Sequence, residues 1–134
     1  MTKKEMAINF HKRGFNCAQS VVLPFCDELG LDPVAVAKGM EGFGAGMGGF
    51  ELTCGALSGA IYVAGILNSD GDLDNPSSKR DTYNVCKHLC SCFKDNIGSN
   101  ICKEIKGIES GNMLKSCNEC ILFGVELIEK MLSR

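Results

Sequence analysis

From Cys54 to Leu67 the chain reads CGALSGAIYVAGIL, 14 residues without a charge, interrupted only by Ser58 and glycines. A segment this apolar has to be buried. It is too short to cross a bilayer, which takes about 20 residues, so it reads as a core helix that other elements must cover. In a chain of 134 residues one such core is enough to remove roughly 70% of the unfolded surface from water. The expectation is therefore a single domain spanning 1–134, organised around this helix.

The flanking sequence supplies the covering helices. Thr2 is placed to cap a first helix carrying Met6, Ala7 and Phe10, with Gly14 as its stop. Asn16, with Gln19 three residues on, opens a second helix that ends at Gly30 and contains Pro24, which should kink or divide it. Asp32-Pro33 begins a short third helix through Val34 and Val36. Between Gly39 and Gly49 six of eleven residues are glycine, so this stretch is expected to be loop, with Thr53 then capping the apolar helix.

Asn68 to Pro76 forms a second loop, and Ser77 or Ser78 begins a long helix whose inner face is expected to carry Tyr83, Cys86, Leu89, Cys90, Phe93 and Ile97. Gly98 ends that helix, and Ser99 is expected to cap a short one through Cys102 and Ile105. A last helix presents Ile121, Val125, Ile128 and Met131 or Leu132. No segment alternates as a strand. The class is all-α, a compact bundle of about six helices with a Gly-rich loop before the central one.

Fourteen basic and sixteen acidic residues leave a formal charge of −2, which argues against nucleic acid as a partner. The N-terminus lacks an apolar signal core, and nothing suits a membrane span, so a cytoplasmic protein is expected. In a reducing cytosol the nine cysteines would serve metal binding or redox work more readily than static disulfides.

Four of them stand where the pattern places helix starts: Cys17 after Asn16, Cys54 after Thr53, Cys102 after Ser99, and Cys117 after Ser116. A helix start offers unpaired N–H groups and about half a positive charge. Both favour thiolate, and such sites can lower a thiol from about 8.5 into the range of roughly 3.5–7.5. Cysteine is also a small apolar residue that packs well, and that reading suits Cys26, Cys86, Cys90 and Cys120, which fall inside helices. Cys92 is expected to point away from Cys86 and Cys90.

The segment Cys54-Gly55-Ala56-Leu57-Ser58-Gly59 resembles the signature of the redox-active protein family named for its C…GCAxxG…C…C pattern, here in the order CGAxxG. Asn16-Cys17-Ala18-Gln19 is similar to that family's first cysteine motif. Phe93-x₄-Gly98-Ser99-x₂-Cys102, closed by Gly107, is similar to the third, and Cys117-Asn118-Glu119-Cys120-Ile121 to the fourth, with Cys120 an extra. The likeness spans nearly the whole chain. It implies a small redox-active protein working through four shared cysteines. Some relatives resemble the domain attached to split-Soret cytochromes, but the absence of CxxCH implies no c-type haem in this chain.

If Cys17, Cys54, Cys102 and Cys117 converge, their charges need an answer. Two thiolates about 4 Å apart repel by roughly 4 kcal/mol at an effective dielectric of 20. An iron–sulfur cluster is the expected answer, with zinc or two disulfides as alternatives. Gly46, Gly48, Gly49 and Gly55 would let backbone N–H groups approach an anionic centre. The implied partner is a redox protein, and the small-residue face Gly55, Ala56, Gly59, Ala60 and Ala64 suits either internal packing or a homodimer. Gly44-x-Gly46-x-x-Gly49 matches a dinucleotide fingerprint only literally, since no strand precedes it. Asp70, Asp72 and Asp74 begin like a calcium loop but lack its glycine and glutamate. His11 and His88 are expected to be ordinary helix histidines.

Overall fold

The structure, a computed structural model, describes residues 1–134. It is all-α, with seven helices and no strand. Helix α1 is Lys3–Lys12, and α2 runs Cys17–Val22, tightens into a 3-10 turn at Leu23–Phe25 around Pro24, and resumes at Cys26–Leu29. Helices α3 (Pro33–Met40), α4 (Gly55–Asn68), α5 (Lys79–Ile97), α6 (Cys102–Lys106) and α7 (Cys117–Leu132) follow.

Local chemistry sets most of these ends. Thr2, Asn16 and Ser116 each close a reciprocal capping box with the Glu or Gln three residues on, which satisfies two otherwise orphaned donors at once. Asp32 accepts from the Ala35 N–H at 3.2 Å, with Pro33 at the first helical position. Gly30, Gly98 and Gly107 terminate their helices in the left-handed region.

As its composition requires, α4 is central, packed against α2, α5 and α7. Gly55 through Ala60, Val63 and Ala64 are buried, while Ile66 and Leu67 emerge at its end. The small-residue face is used internally: a Cβ on Gly59 would lie 2.2 Å from Val21 and 3.0 Å from the Ala18 carbonyl oxygen. Phe25, Leu57, Phe93, Ile121 and Ile128 are the large side chains fully enclosed around this contact. Each contributes about 1.5–3 kcal/mol relative to exposure.

Three expectations need correction. The glycine-rich stretch is not simply loop: α3 continues through Gly39 to Met40 and a 3-10 turn follows at Glu41–Phe43. The chain then makes a left-handed turn over Gly44–Met47, with Ala45 at φ 51° and Met47 at φ 64°. An L-residue there costs roughly 1–2 kcal/mol. The turn is held by the Gly48 N–H to Gly44 O bond at 2.9 Å and the Phe50 N–H to Ala45 O bond at 2.7 Å.

Tyr83 lies outside the inner face of α5 at 66% exposure, because the first two turns of that helix overhang the core; Leu89, Phe93 and Ile97 carry the burial. Ser99 does not cap α6. Ile101 occupies the cap position, while Ser99 Oγ accepts from the Ile101 N–H at 3.0 Å and donates to Glu104 Oε1 at 2.6 Å.

The acidic loop is spent on its own backbone. Asp70 and Asp72 carboxylates accept from the Asp72, Asp74, Asn75 and Ser77 N–H groups at 2.9–3.0 Å. No helix is long and apolar enough to cross a membrane.

Candidate functional site: a five-cysteine pocket

The starts of α4 and α6 are far apart in sequence and adjacent in space. Thr53 and Ile101 form an isolated antiparallel bridge. The Cys54 N–H donates to Asn100 O at 2.8 Å and the Cys102 N–H to Leu52 O at 2.9 Å. This short backbone ladder sets Cys54 and Cys102 side by side.

The start of α2 reaches the same place through close backbone packing. A Cβ on Gly55 would fall 3.0 Å from the Ala18 nitrogen and 3.2 Å from Cys17 Cβ, so only glycine lets α2 and α4 meet there. Gly46, at φ +59°, does the same for α6, since a Cβ on it would come 2.6 Å from Cys102 Cβ. The capping box of α7 directs Cys117 and Cys120 inward from the fourth side.

Together these elements enclose a cavity of about 150 Å³ lined by Cys17, Cys54, Cys102, Cys117 and Cys120, with Asn16, Ala45, Gly55, Ile105, His11, Lys106 and Lys115 completing the wall. No carboxylate lines it. Cys54, Cys102 and Cys120 are buried, and Cys17 and Cys117 are half-buried.

All four cysteines expected to work together therefore meet. Gly46 and Gly55 shape the pocket, whereas Gly48 and Gly49 neither line it nor have a neighbour within 4 Å of a built Cβ. Cys26, Cys86, Cys90 and Cys92 lie elsewhere. Cys92, expected to face away, is half-buried against the core, with its Sγ 3.4 Å from His88 Nε2.

Two residues of the site escape a reading of the sequence by element. Cys120, expected as core filler, lines the cavity; the signal was the spacing Cys117-x-x-Cys120 across one helical turn, which keeps both side chains near one face. His11 forms part of the wall, with its Nδ1 3.1 Å from Asn118 Oδ1. It comes from α1, whose sequence carries no sulfur motif.

The ionisation pattern also departs from expectation. Four helix starts do not yield four thiolates. Cys117 is held down to about 5, first by the Cys17 thiol opposite it and then by Lys106, as a neighbouring charge and a donor, and by His11, against the opposing cost of burial. Cys54 is also lowered, first by the Cys120 thiol and then by the Ala56 and Leu57 N–H groups of its own helix start. Cys54 takes the cap position itself rather than the first turn, facing those donors.

The partners move the other way. Cys17 is pushed far up by Cys117 and by burial, and Cys120 by Cys54 and by burial. Cys102 is raised by burial and by the Cys54 charge, because a five-residue helix offers too little to offset desolvation. One charge shared across each pair is what a small, water-poor pocket tolerates.

No three His, Cys, Asp or Glu side chains are grouped so as to hold a metal ion. A tetrahedral zinc site, with zinc–sulfur bonds of about 2.3 Å, would draw its sulfurs to within about 4 Å of one another. The donor set suits soft metal chemistry all the same: five thiols, no carboxylate, and cationic side chains at the wall.

A family model described as "Putative redox-active protein (C_GCAxxG_C_C)" matches residues 15–131. No curated protein and no solved structure matches the chain.

Proposed function

The chain belongs to the C_GCAxxG_C_C family of redox-active proteins, and from that premise we propose that its pocket is an electron-transfer centre in which Cys17, Cys54, Cys102 and Cys117 hold an iron–sulfur cluster. The observation that carries this reading is the convergence of thiols from four chain segments on one cavity of about 150 Å³. The wider spread of the sulfurs disfavours a single zinc ion and leaves room for a larger body. When bound, the cluster supplies one-electron chemistry that no protein side chain offers at ordinary potentials.

The residues perform the rest. Cys54 and Cys117 enter as thiolates, so assembly would release protons chiefly from Cys17 and Cys102. Lys106 and His11 offset negative charge at the pocket, and burial of Cys54 and Cys102 keeps water from those sulfurs. The Thr53–Ile101 bridge fixes two of the four segments against each other.

A second reading rests on the pairing of Cys17 with Cys117. A thiolate facing a protonated thiol is the starting point for thiol–disulfide exchange, in which the pair passes two electrons to a disulfide partner and becomes a disulfide itself. Iron and acid-labile sulfide analysis of oxygen-free protein separates the two. Stoichiometric iron and sulfide, with broad absorbance near 400 nm bleached by reductant, support the cluster. Metal-free protein that consumes two electrons per Cys17–Cys117 pair supports exchange, and thiols inert to both refute the redox centre.

A further inference from the structure

We propose that Cys54 and Cys120 are a dithiol couple of their own: in metal-free protein Cys54 attacks a low-molecular-weight disulfide and Cys120 resolves it, closing a Cys54–Cys120 disulfide. The inference builds on the pocket being a redox centre and concerns the one thiol that a four-cysteine centre leaves over.

The two residues meet at a helix crossing. A Cβ on Gly124 would lie 3.0 Å from the Ala56 carbonyl oxygen and 3.4 Å from Ala56 Cβ, so α7 and the start of α4 touch backbone to backbone. Cys120 is one turn before Gly124 on the same face of α7, and Cys54 caps α4 two residues before Ala56. Both line the cavity, at 6% and 2% exposure for Cys54 and Cys120. Cys54 is the partner favoured as thiolate, by Cys120 and by two backbone N–H groups, while Cys120 keeps its proton. Nucleophile and resolving thiol are thereby distinguished. Cys102 is the competing partner for Cys54, through the backbone bridge, but its thiol is raised mainly by burial.

The step balances. The Cys54 thiolate attacks one sulfur of the small disulfide, a mixed disulfide forms, and one small thiolate leaves. Cys120 gives its proton to that leaving group, then attacks Cys54 Sγ, breaking the mixed disulfide and expelling the second thiolate, which takes a proton from solvent. The protein dithiol loses two electrons, and the small disulfide becomes two thiols.

The test uses full-length protein, stripped of metal and reduced without oxygen, then treated with oxidised glutathione, acid-quenched, alkylated and digested with trypsin under non-reducing conditions. Cys54 is the sole cysteine of the Gly39–Lys79 peptide, and Ser116–Lys130 carries Cys117 and Cys120. The expected product joins these peptides through Cys120, as fragmentation locates. In Cys120→Ser, and in Cys120→Ala as a check against misfolding (both with wild-type helicity), Cys54 should stop at the glutathione mixed disulfide. Cys54 joined to Cys102, Cys17 or Cys117, or left as free thiol, overturns the proposal. Iron analysis is independent of this outcome: protein that binds the cluster yet forms no Cys54–Cys120 link sinks this inference alone, and the reverse result sinks only the cluster.

Discussion

Two groups of cysteines divide this molecule. Cys86, Cys90 and Cys92 lie within one continuous helix, α5, whose backbone N–H groups are already bonded to the preceding turn. Burial raises Cys86 and Cys90, and nothing nearby favours their anions. The pocket cysteines come from the starts of four helices, with free N–H groups, a lysine and a histidine beside them, and two of the five are lowered. Density of cysteine in sequence therefore says little about reactivity. Which chain segments converge, and whether their ends bring donors, decides it.

The sharpest way to break this comparison is to remove one thiol from each group. Cys54→Ser or Cys117→Ser should lower iron and sulfide content of oxygen-free protein at least about tenfold, since each removes a thiolate ligand. Cys86→Ser and Cys92→Ser should leave it at the wild-type level. Equal losses from both groups would erase the distinction.

A stability measurement then asks whether the pocket's backbone is as constrained as its contacts imply. Gly46→Ala places a Cβ at φ +59° and 2.6 Å from Cys102 Cβ, and should cost about 2–4 kcal/mol in chemical unfolding. Gly48→Ala, at φ +90° with nothing within 4 Å, should cost only the backbone strain of about 1–2 kcal/mol.

Thiol titration of the metal-free protein gives the next contrast. Cys117 should become alkylatable along a curve centred near pH 5, fully thiolate at neutrality and losing its charge as pH falls through that midpoint. Cys86 and Cys90 should ionise only above the ordinary thiol range. The midpoint is the readout rather than the rate, because nucleophilicity falls with pKa and compresses rate differences.

The smallest effect concerns Lys106. Lys106→Gln should move the Cys117 midpoint upward by roughly tenfold in proton affinity, since the lysine acts on that thiolate as charge and as donor. Lys103→Gln should not move it, because Lys103 is engaged by Glu51 at 2.9 Å and Glu109 at 3.3 Å.

Much of the fold was legible because its signals are local. The capping boxes at Thr2, Asn16 and Ser116, the Asp32-Pro33 start, the break at Pro24 and the stops at Gly30 and Gly98 each act over a few residues. The left-handed turn through Ala45 and Met47 was not legible, since neither residue prefers that backbone. It is imposed by bonds to Gly44, Phe50 and Leu52 within the turn and by the contacts that crowd Gly44 and Gly46. Cys17, Cys54, Cys102 and Cys117 could be picked out one by one by their places near helix starts, but Cys120 could not, because its partner Cys54 lies on another helix.

What the linear chain determined by itself was the set of helices and the positions of four sulfurs along them, because caps, prolines, glycines and apolar periodicity act through neighbours in sequence. Only the tertiary structure decided that these sulfurs share a cavity with a fifth thiol, a lysine and a histidine, and which of them carry charge. Ionisation in an enclosed space depends on every group facing it, and those groups arrive from α1, α2, α4, α6 and α7 by packing alone.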